Sequence, residues 1–411
     1  RELTATHMIV TTPEKWDVIT RKGGEVSIAS TLRLLIIDEV HLLNDERGPV
    51  IETLVARTLR QVEQTQSMIR IIGLSATLPN PMDVAQFLGV NKDSGLFVFD
   101  QSYRPIPLTQ KFIGVTEKNS IKRQTLMAQI AYNKACEALR NGKQAMVFVH
   151  SRKETVKTAK QLAEFAAAQD GMELFSNDQH ERKDEFAQQV SRSRNNELKE
   201  LFLKGLGCHN AGMLRADRSL TEKLFAAGVI KVLVCTATLA WGVNLPAHMV
   251  VIKGTQLYDP QRGGFRNLGV LDVQQIFGRA GRPGFDTSGE GVIITEHKNL
   301  AHYVSMLTHS TPIESQFVSN LADNLNAEVT LGTVTNVREG AQWLGYSYLH
   351  TRMEKNPLAY ALTWDDIRLD PGLLDHRRKL IKQAARTLDR AKMIRFDERS
   401  GQLYQTEAGR T

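Results

Sequence analysis

Short apolar runs rich in Val and Ile recur along the chain, at residues 34–37, 69–74, 145–149, 229–234, 249–252 and 292–294, each closing on polar or small residues. Runs this short read as strands buried on both faces of a parallel sheet, although periodicity alone leaves buried helix open. Amphipathic stretches separate them, for example 49–64, 121–139 and 154–168. Strands alternating with helices define an α/β layered class with a mostly parallel sheet. The chain has 411 residues, enough for roughly two to three domains.

Composition removes other classes. Hydrophobic residues make up 42% and charged residues 24%, the balance of a chain that buries a core. Cys136, Cys208 and Cys235 are the only cysteines and form no C-x-x-C pair, which excludes a disulfide scaffold and a Cys-rich zinc module and suits a reducing, intracellular compartment. No apolar run reaches the roughly 18 residues of a membrane span, so no membrane partner is expected. The net charge of +7 is compatible with a polyanion partner without proving one.

Two breaks divide the chain. Arg104-Pro105-Ile106-Pro107 reads as an extended connector, because a residue before proline disfavours helix. A second break falls near Glu296, after the last sheet-like run. The expected domains are therefore 1–104, 105–296 and 297–411. Beyond 296 the pattern is mainly helical. A strongly basic helix is expected over 375–395 and a hairpin over 396–406, with Ser400-Gly401 at its turn. Helices followed by a small hairpin suit a winged helix. The charged stretch 179–199 reads as a solvated helix surface.

Several segments carry chemistry. The run 34–37 delivers two adjacent carboxylates, Asp38 and Glu39, to the strand end where open α/β sheets bind ligands. One can hold Mg²⁺ through water and the other can orient an attacking water. The plainer reading is a strand ending in a charged turn. Ser75-Ala76-Thr77 follows the next run, where its two hydroxyls could bond a carboxylate from the neighbouring strand and relay its state; alone it is an ordinary loop. Gln275 to Arg282 places Arg279 and Arg282 three residues apart, on one face if the segment is helical. Two guanidiniums so placed can clamp phosphate oxygens, or form a surface salt-bridge pair.

In this order, Asp38-Glu39-Val40-His41, Ser75-Ala76-Thr77 and Gln275 to Arg282 resemble motifs II, III and VI of superfamily 2 DExH-box helicases. Thr11 to Trp16 resembles motif Ib, Phe148 to Arg152 motif IV, and Cys235-Thr236-Ala237-Thr238 through Gly242-Val243-Asn244-Leu245-Pro246 motif V. The Ski-type branch fits best, and within it the large tandem-cassette helicases of the signal cointegrator complex and of the spliceosome, with the cointegrator type nearer. The resemblance implies two RecA-like parallel-sheet domains, the first truncated, followed by a mainly helical winged-helix domain. It implies ATP and Mg²⁺ as cofactors, with Asp38 holding the metal and Glu39 serving the attacking water. His41, Ser75 and Thr77 would couple the nucleotide site to the second domain, and Gln275, Arg279 and Arg282 would face the γ-phosphate. Gly242 and Asn244 would couple that site to the bound strand. Thr12, Pro13, Ser151, Arg152 and Thr236 would contact nucleic-acid backbone, RNA or DNA. A hairpin over 253–270 would carry Tyr258 and Phe265 as a duplex-parting wedge able to stack on a base. Without the resemblance, Thr12 and Ser151 read as capping residues, and the 253–270 segment as a structural hairpin.

The sequence departs from the family pattern in three places. No phosphate-cradling G-x-x-x-x-G-K-[ST] loop is present, since the only Gly-Lys pair, Gly142-Lys143, precedes a strand. The expectation is a fragment of a 3′-to-5′ helicase that hydrolyses ATP poorly by itself. The end also looks cut, since the family's helical ratchet domain would follow Thr411. His209-Asn210 stands where the family often has two histidines. The parent is expected in a multiprotein complex in the nucleus, with the cytoplasm left open, serving nucleic-acid repair or ribosome-linked quality control. Spliceosomal remodelling, a double-strand translocase that does not unwind and a non-catalytic interaction platform stand as alternatives. The basic 377–379 segment reads equally as a phosphate contact or as internal packing.

Overall fold

The computed structural model describes residues 6–21, 31–75, 78–237, 239–240, 243–259, 263–308 and 312–410. It divides into two compact units: one joins 1–98 to 311–411, and the other is 99–310.

The first unit opens with the helix Pro13–Arg21, followed by β1 (Leu34–Ile37), a 3-10 turn Val40–Asn44, the helix Gly48–Thr65, β2 (Arg70–Gly73) and the helix Pro81–Phe87. β1 and β2 pair in parallel, Leu34 against Arg70 through Ile37 against Gly73. Alternation along β1 turns Ile37 inward and leaves Leu34 and Ile36 exposed. The inward side packs with Val40, Leu43, Ile51, Val55, Val84 and Phe87, and with Ile313 and Tyr348 from the C-terminal part.

The second unit is built on one parallel sheet. Its strands are β3 (Leu108–Val115), β4 (Ala145–Val149), β5 (Leu206–His209), β6 (Val232–Thr236), β7 (Met249–Lys253) and, after the hairpin β8 (Gln256–Asp259) and β9 (Gly264–Asn267), β10 (Gly289–Glu296). The spatial order is β3-β10-β7-β4-β6-β5. β4 lies centrally and is buried on both faces. Ala145, Val147 and Val149 enter one core with Met127, Ala131 and Leu162, while Met146 and Phe148 enter the other with Leu233, Phe277 and Tyr303. Two covered faces explain why its sequence is a continuous apolar run instead of an alternation. Ser151 caps the following helix, Arg152–Ala168, by accepting the Glu154 N–H at 3.2 Å. That helix buries Thr155, Thr158, Ala159, Leu162, Ala163 and Ala166, the stripe a 3.6-residue period produces. The charged 179–199 stretch holds two helices, Lys183–Arg192 and Asn196–Phe202, which bury Phe186, Val190, Leu198 and Leu201 and so are more than a solvated surface. The compact unit runs past residue 296, where the sequence suggested a break, because the helix His297–Thr308 packs on β3.

The C-terminal part of the first unit contains helices Leu321–Thr330, Val337–Leu344, Tyr348–Lys355, Trp364–Leu369 and Leu374–Arg390, then the antiparallel hairpin β11 (Ile394–Asp397) and β12 (Gln402–Gln405). Phe317, Leu325, Trp343, Leu344, Ile381, Leu388 and Leu403 form its core. Helices capped by a two-stranded wing make this a winged helix. The basic helix ends at Arg390, short of the expected 395. Its cations divide: the Arg377 guanidinium donates to the Ala341 carbonyl at 2.6 Å, whereas Lys379 is exposed. No helix among the described residues is long and apolar enough to cross a membrane.

Candidate active site

Parallel pairing of β1 and β2 sets the polar ends of both strands side by side. The Leu74 N–H donates to the Ile37 carbonyl at 2.8 Å, and the Val40 N–H to the Leu74 carbonyl at 2.9 Å. Asp38 and Glu39 leave β1 in a sharp turn, with Glu39 in the left-handed region at φ 57°, ψ 47°. A non-glycine residue held there is strained, and such strain concentrates at functional sites. The Glu39 N–H donates to Asp38 Oδ1 at 2.9 Å, which orients that carboxylate and leaves it exposed.

His41 is fully buried beneath this turn. Its Nδ1 lies 3.2 Å from Ser75 Oγ and its Nε2 3.3 Å from Glu39 Oε2. Burial lowers the imidazole pKa, and the carboxylates of Glu39 and Asp38 oppose that shift. A neutral ring bridges the two segments as one donor and one acceptor. The structure therefore brings Asp38, Glu39, His41 and Ser75 together; Thr77 lies outside the described residues. Thr12 and Pro13 open the helix Pro13–Arg21: Thr12 Oγ1 accepts the Lys15 N–H at 3.4 Å, and Pro13 occupies the first helical position, where proline loses no bond.

In the second unit the arginine pair is not on a helix. The helix Val270–Phe277 stops at Gly278, so Arg279 and Arg282 fall in the following turns and do not share a helical face. Gly281 sits at φ +90°, and a Cβ there would meet Ile106 Cγ2 at 2.5 Å, so this turn requires glycine. Hydrogen bonds from the Ala247 N–H to the Arg279 carbonyl, 3.0 Å, and from the Gly281 N–H to the Ala247 carbonyl, 2.7 Å, fix the turn beside the segment after Asn244. The Arg279 guanidinium then donates to the Ala240 carbonyl and, at 3.4 Å, to Asn244 Oδ1. Gly242 lies outside the described residues. Gln275 is half-buried on the last turn of the helix.

Arg282 points elsewhere. Its Nε is 3.0 Å from Asp286 Oδ2 and its Nη1 is 2.6 Å from Gln144 Oε1. Lys143 Nζ also reaches Asp286, at 2.9 Å. Burial opposes ionisation of Asp286, but the hydrogen bonds from Arg282 and Lys143 outweigh it and hold the carboxyl down at about 2. Asp286 and Gln144 are the partners the sequence reading missed; an Asp four residues after Arg282 was the available signal.

Ser151 and Arg152 are exposed where β4 hands over to its helix, and Thr236 closes β6, the neighbour of β4. These three therefore lie at the C-terminal edge of one sheet. Tyr258 and Phe265 are direct cross-strand partners on β8 and β9, with ring centroids 5.6 Å apart and planes at 72°. They are 60% and 71% exposed, so they pack on each other and not on the core.

A strained carboxylate turn in the first unit, an arginine turn in the second and a C-terminal winged helix define a class, the helicase core with an accessory winged helix. Comparison with known families agrees. Residues 1–84 match the DEAD/DEAH box helicase model, 173–284 the helicase conserved C-terminal domain and 314–398 a winged helix-turn-helix domain. The chain belongs to the DExH-box helicase family. It is 62% identical over 409 residues to the DExH-box ATP-dependent RNA helicase DExH14 of Arabidopsis thaliana. It is 56% identical over 411 residues to activating signal cointegrator 1 complex subunit 3 of Danio rerio, and 56% over 412 to the RQC trigger complex helicase SLH1 of Saccharomyces cerevisiae. Each match covers all of this chain but only 19%, 27% and 21% of the respective relative. Helicase domains of these two kinds imply ATP use with a divalent metal, and nucleic-acid binding.

Proposed function

We propose that the chain is a segment of an ATP-dependent 3′-to-5′ RNA helicase that couples ATP hydrolysis to strand translocation and duplex unwinding in ribosome-linked quality control. The observation that carries the reading is the His41–Ser75 contact under the strained Asp38-Glu39 turn, which links the two loops a hydrolytic site needs to move together. Relatives named as an RNA helicase and as an RQC trigger complex helicase support the substrate and the pathway. Relatives named as a complex subunit support work within a multiprotein assembly. The compartment we assign is intracellular, nucleus or cytoplasm, where three free, buried thiols stay reduced.

Asp38 fits a hydrated Mg²⁺: it is an exposed carboxylate with one oxygen committed to a backbone N–H, and among the described residues no group of three or more ligating side chains forms a metal cage. The bound metal would neutralise charge on the phosphates. Glu39 would take a proton from the attacking water, and buried His41 would hold Glu39 in position while sensing Ser75 and, beyond it, Thr77. Arg279, held by Asn244 and the Ala240 carbonyl, would meet the γ-phosphate with Gln275, and Gly242 and Asn244 would couple that site to the bound strand. Arg282 would join them by exchanging Asp286 for phosphate. Thr12, Pro13, Ser151, Arg152 and Thr236 would track the strand backbone, since small hydroxyls and an arginine read phosphates and not sequence.

The test is Glu39→Gln in the full-length helicase. ATP binding should persist while RNA-stimulated turnover falls by about 10²-fold or more, the usual loss for a general base. Turnover at the wild-type rate would remove Glu39 from the chemistry and the reading with it.

A further inference from the structure

Asn44 lies three residues beyond His41, and Asn80 three residues beyond Thr77. Their side chains accept from two consecutive backbone amides of the winged-helix segment. The Ile313 N–H donates to Asn80 Oδ1 at 2.9 Å, and the Glu314 N–H donates to Asn44 Oδ1 at 3.1 Å. We infer that Asn44 and Asn80 are positioning residues that tether the two hydrolytic loops to one strap, Ile313-Glu314, so that the winged helix sets the spacing of those loops. The inference rests on the helicase reading above.

Two features make this more than an incidental contact. First, the strap is itself held rigidly. Arg352 donates to both Glu314 carboxylate oxygens, at 3.0 and 2.7 Å, and also to Asp83. Asn356 and Tyr360 donate to the same Glu314 carboxylate, each at 2.7 Å. Second, Asn80 closes a ring. Its Nδ2 donates to Tyr348 Oη at 2.9 Å, and the Tyr348 hydroxyl donates to the Ile313 carbonyl at 3.0 Å. Asn80 Nδ2 also reaches Asp83 Oδ2 at 2.9 Å, so the amide can face only one way.

The topology then forms a closed circuit. The loops leave β1 and β2 hydrogen-bonded to each other at Leu74 and Val40, and three residues past each motif they are joined again through adjacent peptide units. Loops fixed at both ends keep His41 and Ser75 within bonding distance. A shift of the strap displaces both loops at once. Ile313 lies five residues beyond Thr308, the end of the last helix of the second unit, so the chain itself joins that unit to the strap.

The experiment compares Asn44→Leu, Asn80→Leu and the double variant in the full-length helicase, with Asn44→Asp as the conservative exchange. Tyr346→Phe is the control, because it removes the Tyr346–Glu63 contact that joins the winged helix to the helix Gly48–Thr65, away from the loops. Hydrogen exchange is read at 312–317, 38–46 and 72–80, and steady-state ATP turnover is measured with single-stranded RNA. Leucine variants should speed exchange at the strap and at both loops. They should lower kcat by about 10- to 100-fold, the loss that small misplacement of reacting groups produces, with the KM for ATP little changed. Asn44→Asp, which keeps an acceptor for the Glu314 N–H, should restore most of the rate, and Tyr346→Phe should leave kcat unaltered. Faster strap exchange with unchanged kcat, or a kcat loss equal in the control, would overturn the proposal. If the wild type hydrolyses no ATP, the helicase reading fails separately, and loop exchange alone decides: loops unmoved by the leucine variants refute the tether.

Discussion

Glu52 sits at the start of the second turn of the helix Gly48–Thr65 with no exposed surface. It accepts the Leu349 N–H at 2.8 Å and the Ser315 hydroxyl at 2.5 Å, both from the winged-helix part. Desolvation pushes its carboxyl up to about 8, against the lowering effect of those two hydrogen bonds. A carboxyl raised in the fold binds its proton more tightly when folded. Its protonated form therefore contributes fully below about pH 4.5, and stability is lost as pH rises from there to about 8. Each tenfold gain in proton affinity is worth about 1.4 kcal/mol, so the effect is on the order of a few kcal/mol. Glu52→Gln keeps an acceptor for Leu349 and a donor for Ser315 without a charge. Urea unfolding of the first unit should therefore lose its slope between about pH 5 and 8, and the variant should be the more stable at about pH 8. An unchanged slope would show that Glu52 is not the titrating group. Sequence offered no sign of this role. Glu52 looks like any polar position beside Ile51, Leu54 and Val55, and its partners are 263 and 297 residues away. Asp38 and Glu39 were legible because their meaning is local, two carboxylates at a strand end.

At the scale of elements, legibility followed whether local chemistry or distant packing decides the outcome. Strands β4 and β7 were readable as unbroken apolar runs because both faces are covered. β5, Leu206–His209, escaped because a glycine and a histidine interrupt its run, although all four residues are buried. The Gln275–Arg282 segment was half read: the helix is real, but Gly278 ends it before either arginine, and close packing of Gly281 on Ile106 bends the chain away. The hairpin of β8 and β9 was legible from its paired glycines, and Gly263 does take the left-handed conformation, at φ +62°. Its two exposed rings carry a prediction. They contribute no core contact, so Tyr258→Ala with Phe265→Ala should leave the melting temperature and single-strand-stimulated ATP turnover near wild type. Duplex unwinding should fall several-fold, because stacking is worth about 1–3 kcal/mol per base. A gel-based unwinding assay beside an ATPase assay separates the outcomes. Equal losses in both would make the hairpin part of the motor and not a wedge.

On the scale of the whole chain, the first unit is assembled from two distant stretches, and a linear reading of domains does not express that. The sequence divides the chain at 104 and 296, yet Ile313 and Tyr348 complete the core beneath β1 and β2. Arg352 is the main electrostatic joint. It is 3% exposed and pairs with Asp83 from the motor stretch and with Glu314 from the strap. Burial alone would lower the guanidinium pKa, but Glu314 first, then Tyr348 and Asp83, raise it above its usual value. Removing one member of a buried charge network leaves the others uncompensated, which costs roughly 3–5 kcal/mol. Arg352→Met keeps much of the side-chain volume and abolishes the charge, so Asp83 and Glu314 would face each other without a cation. The second unit draws its two cores wholly from its own residues, 99–310, and holds none of these groups. Scanning calorimetry of the 411-residue chain should therefore resolve two transitions. In Arg352→Met the transition of the first unit should fall by roughly 10 °C, at a few degrees per kcal/mol for a unit of this size, while the other stays within about 1 °C. Both transitions falling together would mean that the chain unfolds as one cooperative body, and neither moving would mean that Arg352 holds nothing together.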